Sequence, residues 1–249
     1  TKLSPSQQQL RQRLIASMER RPGRWQEEFL LPAVDAFGKP FTGESQLLLS
    51  SVAYERAYQD SRWYTFDEIR SHRKDGWWLS NASGQGVPIS VYFPRRIGGP
   101  RVSWQEWRQA KDKNIYYLDY RTALLFNAEL IENIPPEHSR VGQEAVNHAN
   151  ELLQNYLQQA QIFPRDGEDS FHYYPETDSL TLPDRPLTED ELGTAFREVA
   201  VSTVHSARLG ERTDIDLALV AQLGGIMLCS QTGIFPRYSN NRETVLQWA

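Results

Sequence analysis

The sequence predicts an α+β protein of 249 residues. Three observations lead there. Stretches with apolar residues at helical spacing flank the front half. Between them lie runs alternating apolar and polar residues, rich in aromatic and β-branched side chains, as in a small antiparallel sheet. The back half reads mainly as helix, around a pair of short extended segments. Charge divides the chain at the same place. Residues 1–140 carry 20 Lys+Arg against 16 Asp+Glu, and residues 141–249 carry 7 against 16. Within the overall charge of −5, a basic front thus faces an acidic back. We expect a front domain over 1–135 and a back domain over 141–249, with the boundary in "IPPEHSRVG", residues 134 to 142.

"SPSQQQLRQRLIASMERR" predicts an N-terminal helix, capped by Ser4 or Ser6, with Leu10, Leu14, Ile15 and Met18 on one face. "PGRWQEEFLLPAVDAFGKPFTG" reads as a long connection. "ESQLLLSSVAYERAYQ" predicts a second helix with Leu47, Leu48, Val52 and Tyr58 inward. "RWYTFDEIRSHRKDG" begins extended and becomes a short helix capped by Thr65, with Asp67 and Glu68 in its first turn. "WWLSNASGQGVPISVYFPRR" predicts a hairpin that pairs Trp77–Ser80 with Val87–Phe93. "NIYYLDYRTALLFNAELIENIP" gives a further strand and a short turn. In the back half, "GQEAVNHANELLQNYLQQAQ" predicts a long helix and "SFHYYPETDSLTLPDRP" the two extended segments. "TEDELGTAFREVAVSTVHSARL" is a strong helix with Thr188 as cap and three acids in its first turn. An apolar helix over "TDIDLALVAQLGGIMLCSQTGI" and a last one opening at "RETVLQWA" follow. No internal repeat or low-complexity tract appears.

Composition narrows the function. At 39% hydrophobic and 24% charged residues the chain is of the globular kind. No apolar run approaches the roughly 20 residues that span a bilayer, and the first residues lack a signal-peptide core. The single cysteine, Cys229, excludes an intrachain disulfide and fits a reducing cytoplasm. Placed in an apolar helix without basic or histidine neighbours, it reads as an inert core thiol. "Gly-Gln-Gly" (84–86) and "Gly-Gly" (224–225) match no phosphate loop, and no Ser or Asp sits in a nucleophile motif.

The basic front is a candidate for an anionic partner. Single-stranded nucleic acid is held by aromatic platforms interleaved with cations. The candidates are Arg24 with Trp25; Arg62 with Trp63 and Tyr64; Arg73 and Lys74 with Trp77 and Trp78; Tyr92 with Arg95 and Arg96; and Lys111 and Lys113 with Tyr116 and Tyr117. "RSHRKDGWWLS" is the favoured cluster, although Trp77 and Trp78 on one strand face opposite sides. "RRIGGPR", 95 to 101, is a basic loop able to clamp phosphates. Each pattern also fits core aromatics beside solvated cations.

Taken together, "FTGESQLLL" (41–49), "RWYTFDEI" (62–69), "GWWLSNASGQGVPISVYF" (76–93) and "LLFNAELIENIP" (124–135), followed by "YYPETDSLTLP" (173–183), "AFREVAVSTVHSARLGER" (195–212), "LVAQLGGIMLCSQTGI" (219–234) and "ETVLQWA" (243–249), resemble the ArdC-like antirestriction proteins of conjugative elements. Their front domain also occurs in TraC-type plasmid primases. The resemblance implies a front domain that binds single-stranded DNA and a mainly helical, zincin-like metallopeptidase domain behind it. It also implies a last helix that runs on past Ala249. In that family one helix supplies two zinc-binding histidines with a glutamate between them, and the next helix an acid. Carried over, these positions hold Arg197, Glu198, Val201 and Gln222. Only the glutamate is left, so the resemblance implies a degenerate site without metal or cofactor and a chain that is no enzyme. The family's basic turn is likewise replaced by "LSNASGQG" (79–86).

The chemistry of these side chains agrees. Val201 offers no donor, Arg197 is a permanent cation, and Gln222 has only a neutral carbonyl. His205 lies seven residues from Glu198, about 10.5 Å along a straight helix, too far to share an ion. A separate site drawing on His148, His172 or His205 stays open. Arg197 is either a solvated helix arginine or a cation filling the lost metal's place beside Glu198 or another acid. The expected role is a non-catalytic, non-specific single-stranded-DNA-binding protein of a mobile genetic element, concerned with antirestriction or conjugation. One rival is a protein-interaction module whose acidic back half binds a basic host or element protein, with DNA binding lost. A second is a residual hydrolase that uses Glu198 and an unconventional metal.

Overall fold

In the computed structural model, residues 3–137, 142–167, 170–210 and 215–249 are described. The expected domain boundary falls partly on residues 138–141, outside them. In chain order the elements are α1 (Pro5–Arg20), α2 (Gly43–Arg56), β1 (Trp63–Thr65), α3 (Phe66–Ser71), β2 (Trp78–Leu79), β3 (Val87–Arg96), α4 (Trp104–Gln109), β4 (Tyr116–Asn127) and β5 (Ile131–Glu132). Then come α5 (Gln143–Ala160), β6 (Phe163–Asp166), β7 (His172–Tyr174), β8 (Ser179–Leu182), α6 (Glu189–Ser202), α7 (Leu217–Thr232) and α8 (Arg242–Leu246). The chain is α+β, as the patterning predicts.

Local chemistry sets the helix starts. Ser4, Thr65 and Thr188 each close a capping box, with Gln7, Glu68 and Glu191 three residues on. α6 stops at Ser202, short of the expected Leu209. The segment Trp25–Phe29, expected as connection, is a 3-10 turn with Trp25 and Phe29 fully buried.

The front sheet has the order β1-β4-β3, all antiparallel. The expected hairpin does not form. β3 pairs with β4 through ten consecutive partners, from Val87↔Leu125 to Arg96↔Tyr116, and β2 pairs with β5. The physical reason is burial: β4 brings Leu125 beside Val87 and Ile89 in the core. The two residues of β2 are secured instead by the Trp78 indole, which donates to Glu132 at 2.5 Å. Gly86, just before β3, packs so close to Leu124 that a Cβ there would meet its Cγ at 2.6 Å.

In the back half β6 runs parallel to β8 and β7 antiparallel to it. α6 and α7 pack against each other through Gly224 and Gly225, where an added Cβ would come within 2.4 Å of Ala200 and 2.7 Å of Arg197. One hydrophobic core runs from Leu10 of α1 to Val245 of α8, through α2, β3, β4, α5, α6 and α7. No helix among the described residues is long and apolar enough to cross a membrane.

Candidate nucleic-acid interface and the α6 helix

β3 and β4 are longer than the core that holds them. Val87, Ile89 and Leu125 anchor their paired ends, while the far ends stand in solvent as a two-stranded arm. Cross-strand partners share a face of the ribbon. One face carries Arg96 opposite Tyr116, Pro94 opposite Leu118, and Tyr92 opposite Tyr120. The other carries Arg95 opposite Tyr117, Phe93 opposite Asp119, and Val91 opposite Arg121. Tyr117, Leu118 and Tyr120 are all exposed.

At the arm's end sits α4, capped by Ser103, whose hydroxyl accepts from the Glu106 amide at 3.0 Å. Trp104 and Trp107 meet edge to face at 5.6 Å. The Lys113 ammonium lies 4.6 Å from the centre of the Trp107 ring, and the Arg101 guanidinium 4.6 Å from that of Phe93. Between residues 93 and 121 there are seven Lys and Arg against three acids. That net +4 equals the whole basic excess of residues 1–140. Of the seven, only Arg95 forms an ion pair among the described residues, with Asp119 at 3.1 Å. Arg96, Arg108, Lys111 and Arg121 are exposed and carry neither ion pair nor ring contact there. The arm therefore offers cations and aromatic faces together, which single-stranded nucleic acid requires.

The residues singled out from sequence divide. Arg95 and Arg96 lie on the arm. Trp25 is 0% exposed in the core, where no base reaches its ring. Tyr64 is buried too, edge-on to Trp77 at 5.6 Å. Burial raises the pKa of its hydroxyl. Arg62 is held by Asp60 at 2.6 Å and by the Pro135 carbonyl at 2.7 Å. The Asp60 bond raises its already high pKa. These three hold the front half together. Arg24 is exposed, 3.8 Å from Glu27. Arg73 and Lys74 are exposed on a 3-10 turn. Beside them Trp77 stacks on His72 at 4.3 Å and is half-buried, while Trp78 is 54% exposed. Arg73, Lys74 and Trp78 thus form a second, smaller basic-aromatic patch. Sequence reading missed Trp104, Trp107, Arg108, Tyr120 and Arg121. The signal was the density of Trp and Lys/Arg in "SWQEWRQAKDK" (103–113).

On α6 and α7 the positions that the resemblance equates with metal ligands are engaged in packing and hydrogen bonds. Arg197 is half-buried and makes no ion pair among the described residues. Its guanidinium lies 5.7 Å from the Tyr238 ring centre and bonds weakly to the Gly193 carbonyl and the Thr194 hydroxyl, each at 3.4 Å. It pairs with neither Glu198 nor any other acid among the described residues, so the expected pairing is not made; it is a half-buried arginine over Tyr238. Glu198 accepts from the Tyr173 amide at 2.8 Å and lies 3.6 Å from His172 Nδ1. Val201 packs against the core. The Gln222 Oε1 accepts from buried Gln26 at 2.9 Å, and Gln26 in turn accepts from Asn240 at 2.8 Å. This amide chain ties α7 to the 3-10 turn of the front half.

Below α6, Arg208 grips Asp178 with both terminal nitrogens, at 2.5 and 3.1 Å, and caps the helix at the Ser202 carbonyl. That guanidinium holds the Asp178 carboxyl below the usual carboxylate range. His205 sits 3.7 Å from Asp178, away from Glu198, and Nδ1 accepts from the Ala207 amide. Burial raises the Tyr173 hydroxyl, which donates to Asp178 at 2.6 Å. Among the described residues no three of His, Cys, Asp and Glu converge. The residues at the family's metal positions do not fit a divalent ion: one has no donor, one is a packed cation, and one spends its oxygen on Gln26.

No family model matches the chain. Two solved structures resemble it over 99% of its length. One is a metal-free structure of the antirestriction ArdC protein from plasmid R388, with a TM-score of 0.67, 19% identity and 87% of that chain covered. The other is a Mn(II)-bound structure of the same protein, with a TM-score of 0.63, 21% identity and 88% covered. In sequence the chain is 24% identical over 251 aligned positions, 86% of its length, to a DNA primase TraC of Escherichia coli. A second TraC primase of Escherichia coli is 37% identical over 101 residues, 39% of this chain. The chain spans only 20% and 6% of the lengths of these primases. The resemblance read from the motifs therefore holds: the chain has the fold of the ArdC antirestriction protein, end to end, and shares sequence with the TraC primases.

Proposed function

We propose that this chain is a non-catalytic, single-stranded-DNA-binding protein of a mobile genetic element, acting in antirestriction or conjugation inside the cell. The observation that carries the reading is the arm: seven cations and exposed Trp and Tyr rings on one projecting ribbon and the α4 segment at its end, against three acids. Likeness to an antirestriction protein and to DNA primases supports the setting. The donor chemistry of Arg197, Val201 and Gln222 supports the absence of metal catalysis. The back half then serves as scaffold, with Glu198 as a structural bond. Binding by phosphate neutralisation and stacking is non-specific and salt-sensitive. Fluorescence anisotropy with labelled single-stranded and duplex oligonucleotides, at two salt concentrations, tests it. Micromolar or tighter single-strand binding that weakens with salt supports the reading; no binding to either sinks it.

One observation favours a second reading, a protein-interaction module without DNA binding. Between α5, α6 and α7 lies a cleft of about 540 Å³ walled by Leu152, Tyr156, Val199, Leu223 and Met227, with no charged residue in its lining. An apolar surface of this kind fits a protein partner. Binding of a partner protein by a chain inert to both oligonucleotides would decide for it.

A further inference from the structure

We propose that the outer edge of β4 is a self-association surface. Two copies of the chain pair there edge to edge, antiparallel about Tyr120, and join their arms into one four-stranded sheet. The pairing needs no nucleic acid.

The edge is open. β3 pairs along one side of β4 from Tyr116 to Leu125. On the other side β1 takes only Leu125, Phe126 and Asn127. Residues 116–124 therefore have a free side. Backbone bonds at the two ends show which peptide groups point there. The Ala128 amide donates to Arg62 at 3.0 Å, toward β1, and the Ile115 carbonyl accepts from Ile97 at 2.8 Å, toward β3. Peptide groups alternate sides along a strand, so those of Leu118, Tyr120, Thr122 and Leu124 point outward. The Leu118, Thr122 and Leu124 amides have no partner among the described residues. The Tyr120 amide is covered by its neighbour, donating to Asp119 Oδ1 at 2.9 Å. A row of such groups is a template for another strand.

The side chains select a second copy as that strand. When two β4 edges pair antiparallel with Tyr120 at the centre, Tyr120 lies opposite its own copy. Leu118 then faces Thr122, Tyr116 faces Leu124, Tyr117 faces Ala123 and Asp119 faces Arg121, each twice by symmetry. The exposed Tyr117, Leu118, Tyr120 and Leu124 all gain a cross-strand neighbour. Arg121, exposed and without an ion pair in the single chain, meets a carboxylate. Asp119 releases the Tyr120 amide to the facing Tyr120 carbonyl and keeps Arg95, 3.1 Å away, on its other oxygen. Moving the centre by one residue sets Asp119 against Asp119 or Arg121 against Arg121, and like charges directly opposite repel. The Tyr120 register also uses the whole free edge, stopping where β1 takes over at Leu125. Opposite residues share a face, so the face that carries Tyr92 and Tyr120 continues across both arms. Association withdraws Arg121 from the cations open to phosphate.

A single strand pair is a small contact beside the roughly 1,600 Å² of a standard interface, so the dimer is expected to be weak, half-formed at about 10–100 μM chain. Sedimentation velocity without DNA, from about 2 to about 300 μM, tests it on the intact chain, R121D, the charge swap D119R/R121D and T122P. The intact chain is expected to shift from monomer to dimer across that range. R121D sets two carboxylates opposite each other and should weaken the dimer about ten-fold, and the swap should recover most of the loss. T122P removes an outward donor, leaves the pairing with β3 in place and should weaken the dimer too. Unchanged melting temperatures verify that R121D and T122P fold. A chain still monomeric at the highest concentration overturns the proposal. So does a dimer as stable in R121D and T122P as in the intact chain, because another surface then holds it. A swap no tighter than R121D refutes the Asp119–Arg121 pair. Cross-linking checks the register: a short thiol–thiol linker should join Y120C, whose thiols face each other, but not Y117C, whose thiols stand about 20 Å apart along the edge. Cys229 is buried and does not compete. Equal cross-linking of both variants overturns the register.

Discussion

The arm makes a quantitative prediction about salt. Four of its cations, Arg96, Arg108, Lys111 and Arg121, are exposed and carry neither ion pair nor ring contact among the described residues. Each is free to neutralise one phosphate. On a single strand every phosphate neutralised contributes about −0.7 to the slope of log affinity against log salt. Four contacts give a slope of about −2.8, so raising salt from about 50 to about 200 mM weakens binding roughly 50-fold. The double change R96A/R121A removes two contacts from opposite faces of the ribbon, at positions too exposed to support the core. The expected slope falls to about −1.4, and the same salt step then costs only about seven-fold. Anisotropy titration at four or five salt concentrations measures both slopes. A slope that does not change in R96A/R121A would falsify the assignment of these cations to phosphate, whatever the change in absolute affinity. If R73A/K74A lowered the slope instead, the second patch, beside Trp78, would be the interface.

Other consequences concern the back half. Arg208 lowers the Asp178 pKa, and Arg185, with the Thr188 cap, lowers that of Glu191 to about 2. A depressed carboxylate pKa contributes stability that is complete above the unfolded value and is lost as pH falls through the folded one. The melting temperature should therefore be flat near neutrality and drop below about pH 4, with D178N blunting the drop; an acid limb unchanged in D178N counts against the Arg208 pair. Burial pushes the Cys229 thiol up to about 12, so thiol reagents at pH 8 should label it only after denaturation, and rapid labelling of the folded chain would contradict its burial. Replacing Glu198 by alanine leaves the Tyr173 amide without its acceptor and should cost about 1–3 kcal/mol in denaturant unfolding; a loss under about 0.5 kcal/mol would show the bond to be incidental.

Local signals were legible in the sequence; pairings between distant segments were not. Ser4, Thr65 and Thr188 announce their helices because a cap and its Glu or Gln partner lie three residues apart. The hairpin expected at Trp77–Phe93 is the counter-case. Two neighbouring extended runs with a Gly-rich turn are the local pattern of a hairpin, but β3 gains more by pairing along its length with β4, some thirty residues away, which brings Leu125 against it. The same limit applies to the interface. Arg95 and Arg96 were visible as a pair, and so were Tyr116 and Tyr117. That they face each other across a ribbon depends on the register. Trp25 and Tyr64 beside arginines look like stacking platforms in a one-dimensional reading, because adjacency in sequence does not record which neighbour turns inward.

The arrangement around Glu198 bears on the proposal that this carboxylate serves the fold without a metal. Its carboxylate is bonded to the amide of Tyr173, on the edge strand β7. The Tyr173 hydroxyl enters the Arg208–Asp178 pair that closes the end of α6. Glu198 thus joins the middle of the helix to the strand whose side chain helps fasten the helix's end. A half-buried carboxylate in that position has work to do without any metal, and an unpaired amide would be left on its removal. Arg197, on the α7 side, has its stem against Gly225 and its head over Tyr238. A histidine introduced at position 201 would still meet a helix whose neighbouring positions are filled by packing. Creating metal affinity should therefore require R197H, V201H and Q222E together; the carboxylate of Q222E can still accept from Gln26, so the bond that joins the two halves is lost only when zinc engages that carboxylate. Zinc titration followed by calorimetry separates these effects. Tight zinc binding by V201H alone would show that packing around α6 does not keep a metal out.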